Sequence, residues 1–208
     1  MVSHHHDEDS DVMQDNPWKL RASSHKYANP WFTVREDQVI RPDGTPGIYG
    51  VVSARRLAIG ILPLWEDGSL TLVGQYRYPL QEYSWEIPEG GGEFGVAPLE
   101  SAKRELREET GIEARVWEYF GRMHTSNCFV NEVCHLFLAT DLTQGVAAPD
   151  PEEVLQTCRI PFDEAVAMAR DGRITDSISI VGIFRLLARQ SSFVRARGAY
   201  EPSDEPKT

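Results

Sequence analysis

β-forming residues cluster and alternate from Trp31 to Ile40 and from Ile48 to Ala54, on either side of Pro42-Asp43-Gly44. That pattern predicts an antiparallel pair joined by a tight turn. Leu57 to Trp65 and Leu70 to Tyr76 repeat it around Glu66-Asp67-Gly68-Ser69, predicting a second hairpin. Further strands are expected over Glu113 to Gly121, Cys134 to Thr140 and Val154 to Ile160. Between them the period changes: Leu99, Ala102 and Leu106 recur at three- and four-residue spacing, which makes one apolar helical stripe. Pro98 suits the first turn of that helix and Gly111 its left-handed end. Two more helices are expected over Phe162 to Arg170 and Ser177 to Arg189, the second capped by Asp176. The order β-rich, helix, β-rich, helices predicts an α/β sandwich with a mixed sheet.

At 208 residues the chain has room for one domain with extensions. Polar, acidic residues dominate the start and Pro, Ser, Glu and Arg the end, so 1–28 is expected as a disordered or extended tail and 191–208 as a second tail. The N-terminal β segment then occupies 29–54 and the main domain 55–190. A net charge of −11 argues against a nucleic-acid partner, which requires a basic face. No stretch approaches the roughly 20 apolar residues of a membrane span. The first residues lack the basic start and apolar core of a signal peptide. Three cysteines without metal-ligand spacing suit a reducing compartment, and a cytoplasmic location is expected. His4, His5 and His6 stand without a packed surround and make a poor specific metal site.

Candidate chemistry lies on the polar side of the first helix. Glu105, Glu108 and Glu109 in Lys103-Arg104-Glu105-Leu106-Arg107-Glu108-Glu109-Thr110-Gly111-Ile112 stand at i, i+3 and i+4, so they project together. Like charges at that spacing cost a helix roughly 0.2 to 0.5 kcal/mol per pair. Such a face is either solvated or used to hold cations, and convergent carboxylates suit Mg²⁺ where a phosphate is also a ligand. Ahead of the helix, Trp85-Glu86-Ile87-Pro88-Glu89-Gly90-Gly91-Gly92-Glu93 reads as a short strand entering a glycine-rich loop. Such a loop lets main-chain groups approach metal or phosphate.

Loop and helix together resemble the Nudix box, G-x5-E-x7-R-E-U-x-E-E-x-G-U with U aliphatic. From Gly90 onward, Arg104, Glu105, Leu106, Glu108, Glu109, Gly111 and Ile112 fall at the required offsets, and Val96 stands where the pattern has its first glutamate. Glu93 lies three residues from that departure and is a candidate to compensate for it. Gln75-Tyr76-Arg77-Tyr78-Pro79 resembles the Q-x-R-x-P segment of the ADP-ribose and nucleoside-diphosphate-sugar pyrophosphatase branch. Further on, Asn127 and Cys128 replace the Pro and Gly of a Ser-Pro-Gly segment common there, while Glu132 keeps an acidic position.

The resemblance implies a Nudix fold, an α/β/α sandwich with a mixed sheet, and hydrolysis of a pyrophosphate bond with Mg²⁺, or Mn²⁺ in its place. By the same analogy the metal ligands would be Glu105, Glu109, Glu152 and the backbone carbonyl of Glu89, with Glu108 a further ligand or an orienting catalytic group. Arg104 would hold the glutamates, and in Pro149-Asp150-Pro151-Glu152-Glu153-Val154 Glu152 would be the ligand while Asp150 or Glu153 would accept the proton of the attacking water. Arg77, Tyr78, Trp85, Glu86 and Glu132 would face the substrate, a nucleotide-sugar or ADP-ribose. His124 is a further candidate phosphate contact. The products would be a nucleoside monophosphate and a sugar phosphate. In this branch the N-terminal segment packs across a two-fold axis, so a homodimer is expected. Two other readings stay open: a Nudix-fold sensor that binds a nucleotide without cleaving it, and a nucleoside triphosphate pyrophosphatase.

Overall fold

The computed structural model of the chain describes residues 15–149 and 154–198. Strands β1 (Lys19–Ala28), β2 (Phe32–Ile40) and β3 (Pro46–Ala54) form a separate antiparallel sheet. There follow β4 (Leu57–Pro63), β5 (Ser69–Arg77), β6 (Glu82–Glu86) and β7 (Glu89–Gly92), then helix α1 (Pro98–Thr110). The chain continues through β8 (Ile112–His124), β9 (Val133–Gln144), β10 (Gln156–Pro161), α2 (Phe162–Asp171) and α3 (Ser177–Gly198). One sheet has the order β7-β4-β9-β8, mixed because β4 and β9 run parallel; the other has the order β10-β5-β6.

Two apolar clusters fill the space on opposite faces of β4, whose successive side chains point to opposite sides. Ile59 and Ile61 meet Ala102 and Leu106 of α1, together with Ile112 and Phe137. Leu62 joins Leu70, Leu72 and Leu136 against Phe162 of α2 and Ile183 of α3. Helices therefore cover both faces, the α/β/α layering expected. α1 begins at Pro98 and stops at Gly111, whose φ of 71° is left-handed and whose N–H donates to the Arg107 carbonyl at 2.9 Å. Asp176 caps α3, its Oδ2 accepting from the Ser179 N–H at 2.6 Å.

Three boundaries differ from the sequence expectation. β4 and β5 share a tight turn, with the Trp65 N–H donating to the Ser69 carbonyl at 2.9 Å, but they separate into different sheets instead of pairing as a hairpin. The edges of β4 are already taken by β7 and β9, while β5 pairs with β6 and β10. Residues 19–28 are not tail but strand β1, paired with β2 from Lys19↔Ile40 to Ala28↔Thr33. Every side chain of β1 is exposed, so it carried no apolar period to read. Ladder bonds hold it instead, with the Ser23 hydroxyl donating to Asp37 Oδ1 at 2.6 Å and Lys26 paired to Glu36 at 3.2 Å. At the other end α3 runs through Gly198, past the expected boundary at 190.

The cysteines behave as free thiols. Cys134 is buried and its thiol is pushed up to about 12 by that burial and by nearby carboxylates. Cys128 is exposed and Cys158 partly buried.

Candidate active site

The pocket is assembled by α1 and β7. With Ala102 and Leu106 locked in the core, the adjoining face of α1 turns Arg104, Glu105 and Glu108 toward a cavity of about 860 Å³, which the buried Glu109 reaches from the core side. Glu89, Gly90 and Gly91 of β7 line its other side. The glycine-rich stretch is thus an edge strand on β4, with Gly90 opposite Ile59, where a loop was expected. Gly90 leaves room for the Glu105 carboxylate. A Cβ there would lie 2.6 Å from Glu105 Oε1, tighter than real Cβ contacts.

Hydrogen bonds hold the carboxylates in place. The Arg104 guanidinium donates to Glu105 Oε1 at 2.6 Å, to Glu108 Oε2 at 2.7 Å and to the Gly91 carbonyl at 2.8 Å. It ties helix to strand. Glu109 is buried and accepts the Glu89 N–H through Oε2 at 3.1 Å. Val96 and Glu93 both lie on the exposed turn before α1 and outside the cavity lining.

Arg77 reaches the cavity from the end of β5. Its Nε donates to Glu86 Oε1 at 2.9 Å and a second N–H to Oε2, a forked pair that fixes the guanidinium plane. Gln75 adds a bond to Glu86 Oε2 at 3.3 Å. Glu86 is 2% exposed and does not line the cavity, so it holds Arg77 rather than facing the substrate as expected. Burial, then the nearby Asp176 and Glu86 carboxylates, push the Glu89 carboxyl well above the ordinary range; Arg77 opposes this and Glu109 adds to it. Glu89 Oε1 is buried without a hydrogen-bond partner among the described residues.

The remaining expected residues divide. Glu132 lines the cavity and accepts the Thr125 hydroxyl at 3.0 Å. Tyr78 stands on the β5–β6 turn, exposed and outside the lining; Trp85 packs against the core and edge-on to Tyr83 at 5.7 Å. Neither tyrosine nor tryptophan there faces the pocket. His124 belongs to a different recess with Tyr49 and Cys128. Asp150, Glu152 and Glu153 lie outside the described residues. The chain leading to them is pinned to the end of α1, with the Gly145 N–H donating to the Gly111 carbonyl at 2.8 Å and the Ala148 N–H to the Glu108 carbonyl at 3.0 Å.

Two residues unforeseen from sequence complete the lining: Trp31 and Arg56. Trp31 is 68% exposed and held by an Asx turn, since Asn29 Oδ1 accepts the N–H groups of Trp31 and Phe32 at 2.9 and 2.7 Å. Arg56 forms no ion pair with a described residue. The Asn29-Pro30 turn signal before Trp31 was readable, but a tryptophan opening a strand is more often core.

The donor set fits a hard divalent cation. Glu105 and Glu109 offer carboxylate oxygens beside an edge strand, and Glu89 presents an orphaned buried oxygen. Among the described residues no three such groups already meet as a closed ligand cage, because Arg104 draws Glu105 and Glu108 to itself.

A mixed sheet flanked by helices, with an arginine-clasped carboxylate helix against a glycine strand, defines the class, and the chain belongs to the Nudix family: the NUDIX domain model matches residues 54–178. It is a Nudix hydrolase. Residues 18–52 match the nucleoside diphosphate sugar hydrolase N-terminal domain. The chain is 30% identical over 193 residues to an ADP-ribose pyrophosphatase of Mycobacterium tuberculosis, covering 89% of this chain and 90% of that protein. It is 33% identical over 128 residues to the methanol dehydrogenase activator of Bacillus methanolicus, covering 61% of this chain and 69% of that one. A crystal structure of an ADP compounds hydrolase superposes with a TM-score of 0.74 at 19% identity, over 88% of this chain and 97% of the other.

Proposed function

We propose that the protein hydrolyses the pyrophosphate bond of a nucleoside diphosphate joined to a second moiety, ADP-ribose or a nucleoside-diphosphate sugar, using Mg²⁺ or Mn²⁺. The products would be a nucleoside monophosphate and a sugar phosphate. One observation carries this reading: a single cavity holds the α1 carboxylates, the forked Arg77 and, on the N-terminal sheet, the exposed indole of Trp31 beside Arg56. A long substrate with an aromatic end and a diphosphate matches that distribution of chemistry. The matched N-terminal domain and the names of the relatives support the same class.

The residues divide the work. Trp31 offers a face on which a base stacks, and Arg56 a cation beside it. Arg77, its plane fixed by Glu86, neutralises phosphate charge as it grows toward the transition state. Arg104 aligns Glu105 and Glu108, and the Glu89 N–H aligns Glu109. A divalent ion held by these carboxylates would supply charge neutralisation and a bound water of lowered pKa. Asp150, Glu152 and Glu153 remain the proposed source of a further ligand and of the base that takes the water's proton.

Incubation with Mg²⁺ and a panel of ADP-ribose, nucleoside-diphosphate sugars and nucleoside triphosphates, with products resolved by chromatography, tests the reading. Cleavage of the first two classes to a monophosphate is expected. Preference for triphosphates would overturn the substrate assignment; tight binding without turnover would make the protein a sensor.

The N-terminal sheet also supports a homodimer. All ten residues of β1 are exposed, and Leu20, Tyr27 and Ile48 project from this sheet into solvent. A sheet with uncovered apolar side chains gains by pairing with a second copy. Light scattering is expected to return twice the chain mass of 23.5 kDa. A monomer at micromolar concentration would remove the idea.

A further inference from the structure

A second recess, of about 340 Å³, opens beside Arg77 between the β5–β6 turn and the start of α3. Arg77 lines both this recess and the main cavity, so the two meet at its side chain. Its volume lies at the small end of ligand pockets and suits a single ring better than a whole nucleotide. The polar groups around it are placed but unused. Ser84 is 6% exposed, and its hydroxyl makes no hydrogen bond with a described residue. A buried hydroxyl without a partner is uncommon, and one that opens on a recess points to a ligand. Asp176 gives Oδ2 to the Ser179 N–H at 2.6 Å and keeps Oδ1. Thr175 and Ser177 bring exposed hydroxyls to the rim, and Leu80, 63% exposed, adds an apolar wall.

Charge decides what fits. Glu86 and Asp176 put two carboxylates in the wall, and Arg77, the cation of the lining, already gives two bonds to Glu86. The start of α3 would favour an anion, but Asp176 occupies it. A further phosphate would therefore meet uncompensated negative charge. A neutral sugar would not. Each of its hydroxyls gives and accepts, as those of Ser84, Thr175 and Ser177 do, while Asp176 Oδ1 accepts and Leu80 offers a surface to the C–H face of the ring. We propose that this recess binds the sugar of a nucleoside-diphosphate sugar, the moiety beyond the phosphate that Arg77 neutralises. This rests on the hydrolytic reading of the main cavity, and the test separates the two.

Steady-state kcat and KM are measured with Mg²⁺ for the full-length wild type, Ser84→Ala, Ser84→Leu and Thr175→Trp. Two substrates are compared: a nucleoside-diphosphate hexose, and the methyl ester of the same nucleoside diphosphate, which keeps the bond to be cleaved and lacks the sugar. Wild type is expected to prefer the hexose substrate in kcat/KM. Ser84→Leu fills the recess from within and should cut that preference about tenfold or more, chiefly through KM. Ser84→Ala removes one hydroxyl and should cut it about three- to tenfold. Thr175→Trp plugs the recess from an exposed position, with the effect expected of Ser84→Leu, and serves if that variant does not fold by circular dichroism. A wild type that cleaves both substrates equally well overturns the proposal and leaves the hydrolytic reading standing. Folded variants that keep the wild-type preference, or lose turnover of both substrates in equal measure, overturn it in the same way. Cleavage of neither substrate by wild type fells the hydrolytic reading and this proposal with it.

Discussion

Glu109→Gln is expected to lower Mg²⁺-dependent turnover by about 10³-fold, some 4 kcal/mol of barrier, while the protein stays folded. The separation follows from what Glu109 touches. Its Oε2 accepts the Glu89 N–H, and the amide oxygen of Gln can accept the same bond, so the link between α1 and β7 survives. The negative charge does not, and charge is what a divalent ion requires of this position. Steady-state kinetics with circular dichroism and thermal melting decide the matter. Retained turnover in a folded variant would remove Glu109 from the reaction. Loss of turnover together with loss of fold would mean that the buried carboxylate is needed by the core instead.

The largest expected effect on stability comes from the other face of the same helix. Leu106→Ala should cost about 2 to 5 kcal/mol, read as a lower midpoint in urea unfolding with little change in slope. Leu106 is fully buried among Ile59, Ile61, Ala102, Ile112 and Phe137, and truncation leaves a void that β-sheet neighbours cannot collapse into. Because α1 carries the cavity glutamates one to three residues away, activity should also fall as the helix loosens. A shift of the midpoint worth under about 1 kcal/mol would show that this packing is softer than its burial implies.

The first helix was legible because two independent periods coincide there. Leu99, Ala102 and Leu106 define the buried side, and Glu105 and Glu108 the side next to it, with the buried Glu109 at the border. Strand positions were legible where apolar side chains cluster, as in β4 and β5, but their partners were not. A tight turn at Glu66 to Ser69 suggests pairing by local chemistry alone, whereas partner choice depends on β7, β9 and β10, distant in sequence, and on β6, which takes one edge of β5. β1 escaped notice for the opposite reason, since an exposed strand held by ladder bonds has no hydrophobic signature. Among site residues, Arg77 and Glu132 came from motif spacing. Glu86 was misassigned because a carboxylate beside a motif reads the same whether it faces a ligand or a neighbouring arginine. Trp31 was missed because only the fold brings the start of β2 over the cavity, 78 positions along the chain from Glu109.

The bonds between the loop after β8 and the end of β3 have a further consequence. The Val52 N–H donates to the Phe129 carbonyl at 2.8 Å, the Asn131 N–H to the Val52 carbonyl at 3.1 Å, and the Ala54 N–H to Asn131 Oδ1 at 3.1 Å. They couple the sheet bearing Trp31 to the sheet against which α1 packs. Under the proposed function, the gap between the stacking face and the carboxylates is then set by main-chain geometry and works as a caliper. Molecules are sorted by reach, from ring to diphosphate, before any detail of the sugar is sensed. Asn127 and Cys128 sit in this same loop, so the chain's departures from the ADP-ribose pattern fall where the caliper's opening is adjusted.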